Sequence, residues 1–314
     1  METHRAGEDM TRRPFVWKIR DRELLTGERT LIMGVLNVTP DSFSDGGHYL
    51  DPDAAFARAI ELEEQGADII DIGAESTRPG SKPTAEAEEL RRLIPVLKRL
   101  RGKLAVPISV DTYKFAVAEK ALEHGAEIIN DPSGLTFDPQ LARAAANQNA
   151  GLILCHMRGT PETWAKLPPL KDVMGTILHD LDASVHRAVG SRVDRARIAI
   201  DPGIGFGKRK EQNAEILARL DQMARLDLPI LVGASRKSFL PQTDQTAKEL
   251  LECATAAAVT AAILGGAHIV RVHDVAAMKL VVQVADQILS FAGTSDSSES
   301  RAVPPRSSGS PSRR

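Results

Sequence analysis

Short apolar runs rich in β-branched residues alternate with amphipathic segments along most of the chain. Eight runs follow this pattern, and each passes into a polar or glycine-containing loop: TLIMGVLNV, DIIDIGAES, PISVDT, EIINDPSG, GLILCHM, RIAIDPGIG, PILVGAS and HIVRVHDV. The segments between them have helical periodicity. In TAEAEELRRLIPVLKRL, for example, Leu90, Leu93 and Leu97 fall on one face. Strands that alternate with helices predict a parallel sheet with crossover connections.

The number of strand–helix units predicts the architecture. Eight units over roughly 260 residues match a closed (β/α)8 TIM barrel, whose usual size is about 250 residues. The nearly continuous apolar character of the runs fits strands that helices cover on their outer face. An open doubly wound sheet is the alternative. Two short segments, FVWKIR and ELLTG, predict an N-terminal hairpin before the barrel.

The two ends of the chain depart from the repeating pattern. Residues 1–13 are polar, and residues 293–314 are rich in serine and proline and hold no aromatic residue. Segments of such composition cannot bury a core. We therefore expect one domain, the barrel of residues 14–292, between a disordered N-terminus at 1–13 and a disordered tail at 293–314.

Polar side chains stand where the predicted strands end. A barrel brings the carboxyl ends of all its strands to one mouth, where functional groups are found. An unpaired amide or carboxylate in a buried strand is costly, so eight polar strand ends on one rim predict a small-molecule site. In chain order the ends hold Asn37; residues 75–78; Asp111 and Thr112; Asn130 and Asp131; His156 and Arg158; Asp201; Ser235, Arg236 and Lys237; and Arg271, His273 and Asp274.

The residue types at this rim indicate two kinds of ligand group. Asp and Asn side chains make planar hydrogen bonds, which suit a flat heterocycle with amide-like N–H groups. Arginine and lysine supply the positive charge that phosphate or carboxylate recognition needs. The cations at the rim are Arg78, Arg236, Lys237 and Arg271. Asn37 offers a neutral oxygen ligand for Mg²⁺ beside substrate phosphates.

Composition gives other ligand classes no support. The net charge is −2 and hydrophobic residues make up 42% of the chain, so we expect no nucleic-acid or membrane partner. No apolar run approaches the ~18 residues of a membrane span, and the N-terminus has no apolar signal region. We therefore expect a cytoplasmic protein whose two cysteines, Cys155 and Cys253, are reduced and lie in the core.

Two weaker signals concern glycines and histidines. The segment DPGIGFGK has glycines at 203, 205 and 207, which fit either a tight turn after a strand or direct contact with a ligand. It matches neither the dinucleotide fingerprint nor the P-loop. The histidines outside the strand ends are expected at the surface or at helix ends: His4, His124, His179, His186 and His268.

Eight stretches resemble, in order, the successive signatures of the dihydropteroate synthase family: LNVTPDSFSDGG, DIGAESTRPGS, ISVDTYK, IINDPSG, HMRGTP, IDPGIGFGK, SRKSFL and RVHDV. The resemblance covers residues 31–292. It implies that 6-hydroxymethyl-7,8-dihydropterin diphosphate and 4-aminobenzoate condense to 7,8-dihydropteroate and pyrophosphate, with Mg²⁺ as cofactor. It further implies a transferase of folate biosynthesis, a sulfonamide target, and a homodimer packed through its late helices.

The resemblance also implies roles for individual residues. The pterin ring would be bound by Asp111, Asn130, Asp201 and Lys237. The diphosphate would be bound by Asn37, Thr77, Arg271 and His273, with Asn37 also a metal ligand. The 4-aminobenzoate would contact Ser238, Phe43, Pro79, Phe206 and Arg236. The catalytic residues would be Asp111, Arg78 and Asp41.

Family similarity implies a dissociative mechanism, in which diphosphate leaves first and the arylamine then attacks the pterin cation. The loops at residues 39–49 and 75–81 would close over the substrates as lids. Two alternatives share the pterin pocket. One is a pterin-dependent corrinoid methyltransferase, which needs no diphosphate site, and the other is a non-catalytic pterin-binding paralogue.

Overall fold

The computed structural model describes residues 12–39, 51–77, 80–240 and 248–292. The predictions made for Asp41, Phe43, Arg78 and Pro79, for both lid loops in part, and for the tail at 293–314 lie outside these ranges. Within them the chain forms ten β-strands and eight α-helices. The strand–helix alternation expected from the hydrophobic pattern is confirmed.

The predicted hairpin precedes the barrel. Strands β1 (Phe15–Ile19) and β2 (Arg22–Thr26) pair in antiparallel register, with Trp17 opposite Leu24. Trp17 and Ile19 are fully buried, whereas Val16 on the other face is exposed. This alternation is what a strand with one covered face produces. The hairpin therefore packs one face onto the rest of the fold.

The remaining eight strands form one parallel barrel. They are β3 (Leu31–Asn37), β4 (Ile69–Gly73), β5 (Ile108–Asp111), β6 (Ile128–Asp131), β7 (Gly151–Cys155), β8 (Ile198–Asp201), β9 (Leu231–Val232) and β10 (Ile269–Val272). Hydrogen-bonded neighbours follow the order β8-β7-β6-β5-β4-β3-β10-β9. A bridge from Ile200 to Ile230 joins the two ends of that order. The TIM barrel is thus confirmed, and the open doubly wound sheet is excluded.

The helices cover the outer face of the sheet. They are α1 (Pro52–Gln65), α2 (Glu86–Leu100), α3 (Phe115–Glu123), α4 (Leu141–Asn147), α5 (Val173–Gly190), α6 (Lys210–Ala218), α7 (Lys248–Leu264) and α8 (Val275–Ala292). Helix α1 illustrates how these helices begin and end. The Asp51 side chain accepts from the N–H of Asp53, and the helix stops at Gly66, whose φ of 102° suits glycine. No helix in the described ranges is long and apolar enough to span a membrane.

The N-terminal end of the barrel is filled by an apolar cluster. Trp17 and Ile19 from the hairpin pack against inward-facing barrel residues, namely Leu31, Met33, Ile69, Ile128, Ile153, Ala199, Leu231 and Ile269. Gly151 permits this approach, because a Cβ there would lie 2.5 Å from Cγ2 of Ile19. The indole N–H of Trp17 donates to the carbonyl of Arg197 at 2.9 Å. The hairpin therefore acts as a plug.

Two residues, Arg12 and His268, correct our expectations about burial. Arg12 falls in the segment expected to be disordered, yet it is buried and donates to Asp286 Oδ1 at 2.6 Å and to the carbonyl of Ala267 at 2.8 Å. The packed fold thus begins before residue 14. His268 was expected at the surface but is buried, because the N-terminal segment covers it and the Arg13 carbonyl lies 3.0 Å from its Nε2.

The two cysteines differ in environment. Cys155 is buried at the end of β7, as expected, and Cys253 is exposed on α7, against expectation. Cys253 lies on the same side of α7 as Leu250 and Ala257, which are also exposed. The helix is apolar on more than its core-facing side, and that breadth misled the sequence interpretation.

Candidate active site

A cavity of about 530 Å³ opens at the carboxyl ends of the barrel strands. The predicted site residues that line it are Asn37, Thr77, Asp111, Arg236, Lys237, Ser238, Arg271 and His273. They belong to β3, β5 and β10 and to the loops after β4, β9 and β10. The expectation that distant polar strand ends meet at one mouth is therefore correct for these residues.

The barrel strands position these side chains through their two-residue period. Side chains on a strand alternate between faces, so inward-facing positions recur at every second residue. Ile128 lies in the apolar cluster at the N-terminal end, and Asn130 follows it on the same face. Ile269 and Arg271 repeat the arrangement on β10. One apolar and one polar layer are thus built from the same short strands.

Arg271 links the buried carboxylate of Asp71 to the carboxylate of Asp111 at the cavity. Its Nε donates to Asp71 Oδ2 at 2.6 Å, and its Nη2 donates to Asp111 Oδ2 at 2.9 Å. Asn130 Nδ2 also donates to Asp71 Oδ2, at 3.2 Å. Burial raises the pKa of Asp111 to about 7, although the positive charge of Arg271 opposes the shift. The cluster therefore places a guanidinium and a carboxyl group with a raised pKa at the cavity surface.

Asn130 and Asp201 are buried beside this cavity rather than on its lining. Asp201 Oδ1 accepts from the N–H of Gly203 at 2.7 Å. Burial raises the pKa of Asp201 and lowers that of Lys237 to about 8. Both shifts have the same cause, because a low-dielectric site disfavours either charged form. Phe206 is likewise absent from the lining, but its ring lies beneath the ammonium of Lys237.

His273 is oriented by a serine. Ser235, in the loop after β9, places its Oγ 3.0 Å from Nδ1 of His273. Arg58 of α1 donates to the His273 carbonyl at 3.2 Å and also lines the cavity. With Arg271, these groups concentrate donors and positive charge near Asn37 and Thr77, as an anionic ligand requires.

Arg236 has a partner in α7. Its Nε donates to Glu252 Oε1 at 2.7 Å, and its backbone has a positive φ of 54°. Its guanidinium lines the cavity while paired, so its charge is shared with Glu252. Ser238 is exposed at the same rim. The structure thus brings Arg236 to the expected place in an ion pair that the sequence did not predict.

Glu75, which follows β4, holds the loop after that strand in place. Glu75 accepts from Tyr113 Oη at 2.8 Å and from the N–H of Thr84 at 3.1 Å, and it pairs with Lys114. Lys114 pairs in turn with buried Glu89 on α2. These contacts tie both ends of the loop after β4 to the barrel. Glu75 also contributes to the cavity wall.

Asp131 and His156 are also structural. Asp131 accepts from the N–H groups of Ser133 at 2.8 Å and Leu135 at 2.6 Å, which closes the turn after β6. His156 Nε2 lies 3.1 Å from Asp180 Oδ2 on α5, and burial lowers the pKa of His156 to about 4. Neither residue lines the cavity. A polar strand end therefore does not by itself identify a ligand contact.

Sequence reasoning missed three residues at or beneath the cavity. Asp71 carries a signal that was overlooked, because it is an acidic residue inside the apolar run DIIDIG. Arg58 lies on α1, and Trp164 lies in a loop after β7; both line the cavity. No local pattern marks either of them. Asp41, Phe43, Arg78 and Pro79 lie outside the described residues.

Comparisons with known proteins give evidence about the family that does not depend on the geometry of the site. A family model described as pterin binding enzyme matches residues 33–273. The chain is 45% identical over 263 residues to a dihydropteroate synthase from Synechocystis, which covers 83% of this chain and 91% of that protein.

Solved structures give the same result. A Yersinia pestis dihydropteroate synthase in complex with a sulfonamide drug superposes with a TM-score of 0.82 and 36% identity, covering 88% of this chain and 100% of the other. A Xanthomonas albilineans dihydropteroate synthase with 4-aminobenzoic acid gives a TM-score of 0.78 and 40% identity, covering 85% and 95%.

Proposed function

The chain belongs to the pterin binding enzyme family and, within it, to the dihydropteroate synthases, and on this basis we propose that it is a transferase of folate biosynthesis. It joins 6-hydroxymethyl-7,8-dihydropterin diphosphate to 4-aminobenzoate, giving 7,8-dihydropteroate and pyrophosphate. One observation carries the proposal: acids, amides and cations from distant strand ends surround or adjoin a single cavity. The identity to named synthases favours this function over a corrinoid methyltransferase or a non-catalytic paralogue.

The pterin ring is assigned to the inner part of the site. Asp201 accepts from the 2-amino group and N3–H, a pair of donors that suits a carboxylate. Asn130 and Asp111 meet the remaining ring nitrogens, and the Lys237 ammonium donates to the acceptor side. Because Asn130 and Asp201 are buried, a ring that lacks matching donors and acceptors would leave them unpaired and bind poorly.

The diphosphate is assigned to the positive part of the rim. Arg271 and His273 supply donors that neutralise the leaving group, and Thr77 adds a hydroxyl. Ser235 fixes the ring of His273 through the contact at 3.0 Å. Preoriented donors matter here because they do not have to reorganise as negative charge develops on the departing oxygen.

The family implies Mg²⁺, and the described residues fit a weakly held ion. Among them, no group of three or more His, Cys, Asp or Glu side chains is arranged for a metal. Asn37 Oδ1 and Asp111 Oδ2 both lie close to Gly73, because a Cβ there would contact them at 3.5 Å and 3.9 Å. Mg²⁺ in proteins usually keeps several waters and binds substrate phosphates together with one or two protein oxygens, of which Asn37 Oδ1 would supply one. When bound there, the ion would supply positive charge to the diphosphate.

The 4-aminobenzoate is assigned to the outer rim. Ser238 and Arg236 meet its carboxylate, and Phe206 contributes apolar surface. Phe43 and Pro79 are proposed to add to this surface. Sulfonamides, which one solved synthase binds, would compete for the same subsite.

The reaction proceeds by a dissociative path. The C–O bond at the exocyclic methylene breaks, and the electron pair leaves with diphosphate. The arylamine nitrogen then attacks the methylene carbon and loses one proton. Asp111 in its ionised form stabilises the intermediate cation, while Arg78 and Asp41 are proposed to act from the two loops. The site also accelerates the reaction by holding the amine nitrogen close to the methylene carbon and by excluding water.

A homodimer is proposed on the basis of an exposed apolar face. Leu280, Val284 and Ile288 recur at four-residue spacing on α8 and are at least half exposed. Leu250 of α7 and Phe291 of α8 are exposed as well. A stripe of this kind is typical of a protein interface. Sedimentation should give a dimer for the wild type and a monomer for Val284→Glu.

The direct test of the activity is product formation by the purified chain with both substrates and Mg²⁺. We expect dihydropteroate and pyrophosphate in equal amounts, and no lasting pyrophosphate release when 4-aminobenzoate is omitted. Binding of methyl-tetrahydrofolate without turnover of the pterin diphosphate would favour the methyltransferase instead. Binding of the pterin diphosphate without any release of pyrophosphate would favour the non-catalytic paralogue.

A further inference from the structure

Trp164 of the cavity lining contacts the ring of Phe206, which in turn contacts one of the cavity's cations, Lys237. Trp164 lies in the 3₁₀ turn Trp164–Lys166, and its ring meets Phe206 edge to face, with centroids 5.4 Å apart and planes at 73°. The ammonium nitrogen of Lys237 lies over the same Phe206 ring, 3.9 Å from its centroid. Trp164 and Lys237 both line the cavity. Phe206 is therefore held between an indole edge and a cation.

Two glycines make room for the neighbours of Phe206. A Cβ on Gly205 would come within 3.1 Å of Lys237 Cδ, and one on Gly207 within 2.5 Å of the Arg158 carbonyl oxygen and 3.1 Å of Trp164 Cδ1. Both glycines have a positive φ, 83° and 71°, which other residues rarely adopt. The alternating glycines of DPGIGFGK thus have a packing role, one on each side of Phe206.

The backbone around Phe206 is fixed independently of Trp164. The ammonium of Lys208 donates to the carbonyls of Gly203 at 2.7 Å, His156 at 2.8 Å and Phe206 at 3.3 Å. A smaller side chain in place of Trp164 would leave this loop anchored. The change would therefore act mainly on the orientation of the Phe206 ring.

Hydrogen bonding does not explain the tryptophan. Its Nε1 is buried and has no hydrogen-bond partner among the described residues, a state that is unfavourable for a donor. What the indole does supply is an aromatic edge that fixes the plane of Phe206. A ring face in turn attracts an ammonium group and selects one conformation of a long, flexible lysine.

We propose that Trp164 is a positioning residue that acts through Phe206 to hold the Lys237 ammonium where the pterin ring needs it. This inference rests on the proposed function, in which Lys237 donates to the acceptor side of the ring. It adds a residue that lies outside the family signatures quoted above. It also gives Phe206 a second role besides contact with the arylamine.

The first test is steady-state kinetics of Trp164→Leu and Trp164→Phe. The leucine variant should raise the KM for pterin diphosphate about tenfold with kcat little changed, because the contact is made with the bound ring throughout the reaction. The phenylalanine variant restores an aromatic edge and should stay within about threefold of wild type. Equal KM values for wild type and Trp164→Leu would overturn the proposal.

A double-mutant cycle separates an indirect role from a direct one. In a Lys237→Met background, Trp164→Leu should change the KM less than about twofold, because the group it positions is gone. A tenfold effect in both backgrounds would mean that Trp164 acts on the substrate itself, and the proposal would be wrong.

The chain offers a matched control in a second stack. Phe137 meets Tyr113 edge to face at 5.2 Å, and the Lys114 ammonium lies 4.9 Å from the Tyr113 centroid. Lys114 is paired with Glu75 and Glu89, so its position does not depend on the rings. Phe137→Leu should leave the KM within about twofold of wild type. A tenfold effect would show that any aromatic loss at the mouth disturbs the site.

A crystal structure of Trp164→Leu decides the positioning step without reference to activity. We expect the Phe206 ring to rotate and the Lys237 ammonium to move beyond about 6 Å from its centroid. An unmoved Lys237 would contradict the proposal. Failure of the wild type to form dihydropteroate would instead refute the proposed function, and the crystal structure would still decide whether Trp164 fixes Lys237.

Discussion

The two ends of the barrel are built from the same strands but hold opposite kinds of side chain. At the N-terminal end, Ile128 and Ile269 belong to an apolar cluster that Trp17 plugs. Two positions later on the same strands, Asn130 and Arg271 belong to the polar site. The residues that stabilise the fold and the residues assigned to the chemistry are thus only two positions apart on the same strands.

The ends also respond to pH in opposite directions, although burial is the first cause at both. At the carboxyl end, Asp111 has a pKa raised to about 7, so its contribution to stability is lost as pH rises toward that value. At the N-terminal end, His268 has a pKa lowered to about 4. Its contribution is lost as pH falls below the unfolded value of about 6.5.

Arg271→Met is expected to have the largest combined effect, because it affects both chemistry and folding. It removes a cation assigned to the leaving group and leaves Asp71 and Asp111 without their ion-pair partner. We expect kcat/KM to fall about 10³-fold and the free energy of unfolding to fall by about 3 kcal/mol. Kinetics and urea unfolding measure the two losses.

A second variant separates the two losses of Arg271→Met. Adding Asp71→Asn removes one stranded charge and should restore much of the stability without restoring kcat/KM. Recovery of activity together with stability would mean that Arg271 has only a structural role.

Trp17→Ala tests the plug. The side chain is fully buried and its indole N–H is hydrogen bonded to Arg197. We expect the free energy of unfolding to fall by about 3–5 kcal/mol, while the folded fraction keeps kcat and KM within about twofold. Trp17→Phe should lose less. A large fall in kcat of the folded protein would show that the two ends are not separable.

His268→Gln tests the pH comparison. Neutral His268 accepts at Nδ1 from the N–H of Ile230, and its Nε2 lies 3.0 Å from the Arg13 carbonyl. Between pH 7.5 and pH 5 the unfolded histidine gains a proton that the folded one resists, so wild type should lose about 2 kcal/mol from this residue. Urea unfolding should show a loss smaller by that amount in the variant. An identical loss would contradict the assignment.

Ser235→Ala should give the smallest effect. It removes the group that orients His273 at 3.0 Å. We expect the KM for pterin diphosphate to rise about fivefold, as loss of one hydrogen bond suggests. Affinity for the same pterin without diphosphate should not change, and it serves as the control. An equal loss for both ligands would place His273 away from the diphosphate.

The hydrophobic pattern was sufficient for the barrel because its short-range period directly specifies strand and helix. It also located residues such as Asp111, Arg271 and His273, since strand ends are local features. It could not find Trp164, whose partner Phe206 is distant in sequence and meets it only through the packing of two loops.

Burial by distant segments explains the remaining errors. Nothing near His268 in the sequence reports that Arg13 covers it. Asp131 and His156 occupy strand ends, as several residues of the cavity do. The partners of Asp131 instead close the turn after β6, and the partner of His156 lies on α5. Which polar end becomes a ligand contact depends on these tertiary partners, and the pattern alone does not contain them.

The separation of the two ends is tested most directly by Asp201→Asn, with activity and unfolding measured on one preparation at pH 7.5. Burial disfavours the charged form of this carboxylate, whose pKa is raised. We predict a fall in kcat/KM of about 10³-fold or more, because a pterin donor pair loses its acceptor, with a free energy of unfolding equal to or above that of wild type. Retention of wild-type kcat/KM, or a loss of stability in step with activity, would contradict the account.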